Sequence, residues 1–339
     1  MGAFLEGWRR VLRAPAITLG VLAALFLLAL PLSLAMRGML TEQLGSSVVA
    51  DRLAWNWDAG WAAEFAAQAQ GIGRTFTHEI LGFGATLSVI SGFFDAKPLS
   101  PAIAGVAVAF AVVWTFLSGG IIDRFARARP IRTPAFFAAC GVYFWRFLRL
   151  ALMTSAAYWA LFAWLHPFLF TTLWNRWTRE MSSESNALGL RVALYLVFAV
   201  TLAFVSIVSD YAKVRAVVED RRSMAGAVGA SMRFLRRRPF RAFGLYLMSA
   251  LAALVVIRLW YSAAPSAWTS VSMAFLMTQV YLLARVWAKL AWIAGEVVFF
   301  QGELAHATYT AAPLPMWPDS PAAEALENLV SHTSRRENP

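Results

Sequence analysis

Six stretches of this chain run for about 20 residues with almost no charge in their middle, at roughly 15–36, 101–122, 149–170, 189–209, 242–262 and 267–288. A helix rises ~1.5 Å per residue and a bilayer's hydrocarbon core is ~30 Å thick, so each stretch has the length of one crossing. Hydrophobic residues make up 59% of the chain and charged residues 14%, with a mean hydropathy of +0.58. Soluble domains have roughly 45–50% apolar and 25% charged residues. The expected fold is therefore all-α and polytopic, with six transmembrane helices.

The first stretch follows Arg9, Arg10 and Arg13 and ends in "PLSLA", which is similar to a signal-peptidase site. Its apolar run exceeds the ~7–15 residues of a secretory leader, so it reads as a retained helix, kinked at Pro31. Basic residues mark one set of connections: Arg124, Arg127, Arg129 and Arg132, then Arg146 and Arg149, then the run from Lys213 to Arg241. The alternate connections are poor in them. Basic residues stay on the cytoplasmic side, so both termini are expected there. Arg258 and Arg285 fall near expected span ends, where snorkelling explains them.

A repeat underlies this alternation. "RFLR" occurs at 146–149 and again at 233–236, an offset of 87 that also carries Asp123 onto Asp210. An offset of 86 carries Asp210 onto Glu296. "RRVLRAPAITLG" at 9–20 aligns with "RFLRRRPFRAFG" at 233–244, matching Pro15 with Pro239. The chain thus reads as three repeated helical hairpins, each led in by a basic amphipathic helix lying at the headgroup level. In the third of these, Met224, Val228, Met232 and Leu235 recur at helical spacing. Asp123, Asp210 and Glu296 then become candidate interfacial ion-pair partners for lead-in arginines such as Arg146, Arg149, Arg233 and Arg236. A proton or substrate relay is the functional alternative for these acids.

The six-span domain covers 1–304, with an extracytoplasmic helical insertion at 37–100 and a polar cytoplasmic tail at 305–339. Within the insertion, Trp55, Trp57 and Trp61 suggest either a hairpin against the outer leaflet or an external interface for a partner or lipid. The stretch 80–94 has only 15 residues and three glycines, so it reads as interfacial, re-entrant or buried in the external region. In the tail, Ser320 and Pro321 would cap and begin a short helix.

No catalytic set stands out, and no cofactor or metal site. His78-Glu79 begins a zinc-protease pattern, but Gly82 stands where the second histidine belongs. His166 reads as a satisfied interface histidine, and Cys140, the single cysteine, as a small hydrophobe. The net charge of +11 lies at span boundaries, where anionic headgroups account for it, so nucleic-acid binding is not expected.

"SDYAKVRAVVEDRRS" at 209–223 and "FFAACGVYFWRFLRLAL" at 136–152 resemble a broad set of uncharacterised bacterial six-helix integral membrane proteins. These are loosely similar to the membrane domain attached to some glycerophosphodiester phosphodiesterases. The resemblance covers spans two to six and implies a bacterial inner-membrane location. It carries over no catalytic residue, and the insertion at 37–100 departs from the compact pattern. The expected function is a non-enzymatic accessory or scaffold subunit with membrane-protein partners. The alternative is a transporter or lipid-handling protein with a cavity between the hairpins.

Overall fold

The computed structural model describes residues 2–45, 47–55, 58–76, 82–179, 181, 183–265 and 269–307. Every regular element among them is helical. In chain order these are α1 (Gly2–Leu12), α2 (Pro15–Leu44), α3 (Val49–Trp55), α4 (Ala59–Gln68), α5 (Gly82–Phe94), α6 (Pro101–Arg127), α7 (Thr133–Ala160), α8 (Trp174–Thr178), α9 (Glu184–Val218), α10 (Met224–Arg237), α11 (Pro239–Ala263) and α12 (Val271–Ala307). Trp57, His78, Glu79, His332 and the tail from 308 onward, with its Ser320 cap, lie outside the described residues, as do the side chains of Trp55 and His306.

Among the described residues, five helical segments are long and apolar enough to cross a membrane: α2, α6, Thr133–Thr178, α9 and α11. The chain is thus a helical, multi-pass membrane protein. α12, which holds the sixth expected span, is a single helix of 37 residues. It rises about 55 Å, well beyond one hydrocarbon thickness.

The bundle is tightly packed at the end where the arginines gather, here called the basic end. The buried residues of α6 all lie between Ser118 and Phe125, in its last third. The main core joins them to Val11 of α1, Phe147 of α7, Tyr211 of α9, Leu235 of α10 and Phe300 of α12. Towards the opposite end the helices diverge. α2 buries only Thr18 and Val21, and α6 buries nothing before Ser118.

Two close approaches set this packing. A Cβ on Gly7 would lie 2.6 Å from the backbone nitrogen of Gly295, so α1 and α12 touch backbone to backbone. A Cβ on Gly120 would lie 2.6 Å from Cys140 Sγ, and one on Gly119 would lie 2.9 Å from the Tyr143 Cβ, where α6 meets α7. Arg10 Nη1 donates to the Phe125 carbonyl at 2.5 Å and to Gln301 Oε1 at 3.0 Å, which ties α1 to the ends of α6 and α12.

Proline decides where α2 and α11 begin. Ala14 and Arg238, each followed by a proline, adopt nearly the same backbone angles: φ −135° and ψ 52°, and φ −136° and ψ 50°. There the chain breaks between α1 and α2, and between α10 and α11. The expectation of a separate lead-in helix around Arg146 and Arg149 does not hold. Leu152 stands where those prolines would align, and α7 runs unbroken from Thr133 to Ala160. Pro31, by contrast, sits inside an unbroken α2.

α10 begins at Ser223, whose hydroxyl accepts the Gly226 amide at 3.2 Å. It buries Met224, Ala227, Ala230, Ser231 and Leu235, whereas Met232 is exposed, so its apolar stripe is displaced from the expected one. α9 ends at Glu219 and Asp220, the latter with a φ of 45°, a conformation aspartate tolerates better than most residues. Arg215 and Arg221 both donate to the Glu219 carboxylate.

Burial alone would raise the Glu219 pKa, but those bonds outweigh it and hold the group below the ordinary glutamate range. A depressed folded pKa stabilises fully above the unfolded value, about 4.3, and the contribution vanishes as pH falls through the folded value. Acidification below about pH 4.3 should therefore increase hydrogen exchange in the turn between α9 and α10 relative to its intrinsic rate, which itself slows with acid. In Glu219→Gln that acid-dependent increase should be absent, and an unchanged pH profile would refute the assignment.

Candidate functional site

α12 carries a run of polar and charged residues at spacings of four, four, three and four: Tyr281, Arg285, Lys289, Trp292 and Glu296. At 3.6 residues per turn these share one face. Arg285 lies 14 residues into the helix, about 21 Å from its start. The exposed apolar residues Leu276, Val280 and Leu283 lie about half a turn round the helix. Arg285 and Lys289 are also exposed, although they point the other way.

What they point into follows from their neighbours. Tyr281 stacks on Trp260 of α11 at 4.4 Å, and Trp292 meets Tyr246 of α11 edge-on at 4.5 Å. Lys289 also lines a small cavity with Asp210 and Lys213 of α9. The charged face thus looks between α11 on one side and α9 on the other. α11 packs on α12 and makes at most marginal contact with α9 or α7. The result is a cleft with α12 as its floor. The Arg285 guanidinium lies over the Tyr281 ring at 5.5 Å, and the Lys289 ammonium over Trp292 at 5.3 Å. Neither cation makes a hydrogen bond or ion pair among the described residues.

At the basic end the cleft closes on a buried polar cluster. Lys213 Nζ lies 2.9 Å from Asp210 Oδ1. Glu296, only 3% exposed, accepts from Trp292 Nε1 at 2.9 Å. Tyr158 of α7 and Tyr246 of α11 both face Ser206 of α9, one turn from Asp210. The cavity between α6, α9 and α12 measures ≈ 20 Å³ and is lined by Ser118, Asp210, Lys213, Lys289 and Glu296 among others. One water needs roughly 10–15 Å³ and two to four polar partners, both of which this cavity offers.

At the other end α5 crosses above the cleft. Its start contacts α11 and α12: Phe83 meets Tyr261 at 5.0 Å, and Thr86 Oγ1 lies 3.4 Å from the Tyr281 hydroxyl. Its end contacts α7 and α9: Phe93 meets Phe162 at 5.3 Å, the Phe94 carbonyl lies 3.1 Å from His166 Nε2, and Tyr195 donates to Asp95. That hydrogen bond holds the Asp95 carboxyl below its usual range. At 13 residues α5 rises about 20 Å, too short to cross. His166 sits before Pro167, and the helix widens to π geometry on both sides, at Leu161–Leu165 and Phe168–Leu173. Proline lacks the N–H that a regular turn would use there.

The residues singled out from sequence take different places. Asp123 bonds Arg127 of its own helix, from Nε to both carboxylate oxygens at 3.0 and 2.9 Å. Asp210 and Glu296 come together at the foot of the cleft, and among the described residues none of the three acids forms an ion pair with a lead-in arginine. Arg146 instead reaches Asp220 at 2.5 Å, past the end of α9. Arg149, Arg233 and Arg236 are exposed and make no ion pair among the described residues. Trp61 is buried, stacked on Phe65 at 5.2 Å within a small core that folds over the end of α2, so it offers no external surface.

Sequence reasoning overlooked Arg285 as an inward group, and with it Lys213 and Lys289. One signal was available: the chain has only three lysines, Lys97, Lys213 and Lys289, and two of them meet here. Set against family models, curated proteins and solved structures, the chain matches none.

Proposed function

We propose that this chain is a six-span protein of a bacterial inner membrane, with both termini cytoplasmic, that handles an amphiphilic substrate. It would act as a transporter or lipid-handling protein, using the cleft between α9 and α11. One observation carries this reading: Arg285 and Lys289 lie partway along a membrane-length helix, exposed, on the face turned away from its exposed apolar residues. A charge at the centre of a membrane helix costs roughly 2.5–3.5 kcal/mol, so such groups usually face a bundle interior or a watery cavity.

Three hairpins with a shared lead-in element fit the matching angles at Ala14 and Arg238. Exposed, unpaired Arg149, Arg233 and Arg236 fit contact with anionic headgroups at the cytoplasmic face.

Cysteine accessibility tests the cleft. In a Cys140→Ala background, Arg285→Cys in native membranes should react with a charged, water-soluble thiol reagent. Leu283→Cys, on the apolar face, should not. Equal protection of both positions would refute the cleft.

A further inference from the structure

The cleft identifies the class of molecule it takes. We infer that Arg285 and Lys289 form a binding site for the phosphate of an anionic phospholipid, an inference that rests on the cleft reading above. Residues four apart on a helix have Cβ atoms about 5–6 Å apart, a span that one phosphate bridges. Arginine contributes a planar fork that matches phosphate oxygens in pairs, and lysine contributes a point charge. Both are exposed; each lies over an aromatic ring, Tyr281 or Trp292, and Lys289 also borders the cavity lined by Asp210 and Glu296.

The charges around them set the sign and depth of the ligand. The Lys213 cation is held by Asp210 at 2.9 Å, which leaves Arg285 and Lys289 as the unpaired pair. Beyond Lys289 the cleft ends at the buried cluster of Asp210, Lys213 and Glu296, whose cavity of ≈ 20 Å³ is too small to admit a phosphate. A phosphate therefore comes to rest at the level of the two cations, about two to three helical turns above Glu296.

The surroundings fit a lipid better than a free ion. Above the Tyr246–Ser206 hydrogen bond that ties α11 to α9, the contact of α11 with α9 and α7 is marginal, which leaves a lateral gap where acyl chains can lie. Trp260 and Tyr281, buried and stacked on each other, close the α11 side of the cleft beside the cations. Above them, α5 bridges the two walls through Tyr281 and Tyr195. A free phosphate would need neither the lateral opening nor the aromatic wall.

Native mass spectrometry of the full chain, purified in detergent and titrated with phosphatidylglycerol, phosphatidylcholine or inorganic phosphate, tests this. The wild type should retain phosphatidylglycerol in preference to phosphatidylcholine. Arg285→Gln and Lys289→Gln should each weaken retention about tenfold, the loss of one charged hydrogen bond. The double variant should lose the preference altogether. The exchange Arg285→Lys with Lys289→Arg keeps both charges and should stay within about threefold, which separates binding from folding. Arg233→Gln, on the exposed face of α10, should behave as wild type.

A double variant that keeps the preference would overturn the site. So would inorganic phosphate displacing the lipid from the wild type at equal concentration, which would assign the pair to a free anion. The two readings fail separately. If Arg285→Cys reacts with the water-soluble reagent but lipid preference survives loss of both cations, the cleft stands and the headgroup assignment falls. If Arg285→Cys is inert, the cleft itself falls.

Discussion

Gly7→Ala should loosen the packing of α1 against α12 and destabilise the bundle. The added Cβ would stand 2.6 Å from Gly295 N, 2.8 Å from Gly295 Cα and 3.0 Å from the Ala291 carbonyl. All three are backbone atoms of α12, so no side chain can swing away to make room. The helices must separate by roughly an ångström, and overpacking of this kind costs typically about 1–3 kcal/mol. The cost spreads because the same interface holds Val11 buried and sets Trp8 edge-on to Trp287 at 4.1 Å. It also carries the Arg10 bonds to Phe125 and Gln301. Gly7→Leu should exceed the alanine cost and expose the Arg9 and Arg10 peptide bonds to trypsin. Gly20→Ala is the control, since nothing lies within 4 Å of the Cβ it would add. Thermal unfolding in detergent and the rate of N-terminal tryptic cleavage both report the effect. Equal stability of Gly7→Ala and Gly20→Ala would show that the close approach does not matter.

The Asp123–Arg127 pair should show a larger effect when broken from one side. The two side chains are 8% and 9% exposed, and the guanidinium Nε bonds both carboxylate oxygens. Arg127→Ala leaves the Asp123 carboxylate buried with no cation beside it. Breaking a buried pair by removing one partner costs about 3–5 kcal/mol, most of it the penalty for the stranded charge. Replacing both residues, as in Asp123→Leu with Arg127→Leu, removes charge and counter-charge together and should recover most of that loss. The unfolding midpoints of the single and double variants in mixed micelles decide the matter. A double variant that is worse than Arg127→Ala would mean that the pair does more than neutralise itself.

The same pair shows why part of this protein was legible and part was not. The crossings were legible because hydropathy is a property of each segment alone and needs no knowledge of its neighbours. Proline at 15 and 239 marked where α2 and α11 begin, because a fixed φ and a missing N–H act locally. Leu152 in the corresponding place let α7 run on, which the absence of proline would have indicated. The partners of the acids were not legible. Asp123 and Asp210 found cations four and three residues along their own helices, positions that neighbour them on any helix. A repeat argument looks across units and passes over such local partners.

By itself, the amino-acid sequence determined an all-helical, membrane-crossing chain, the end of the bundle at which its arginines gather, and the proline breaks between α1 and α2 and between α10 and α11. Those outcomes follow from composition within windows of about 20 residues and from single-residue backbone limits. Only the tertiary structure decided that Arg285 and Lys289 face a cleft, that α5 bridges its two walls, and that Asp210 and Glu296 meet at its foot. Each of these depends on the rotation of one helix about its axis relative to another. That rotation is set by close approaches such as Gly7 on Gly295 and Gly120 on Cys140, contacts between residues far apart in the chain that no local pattern records.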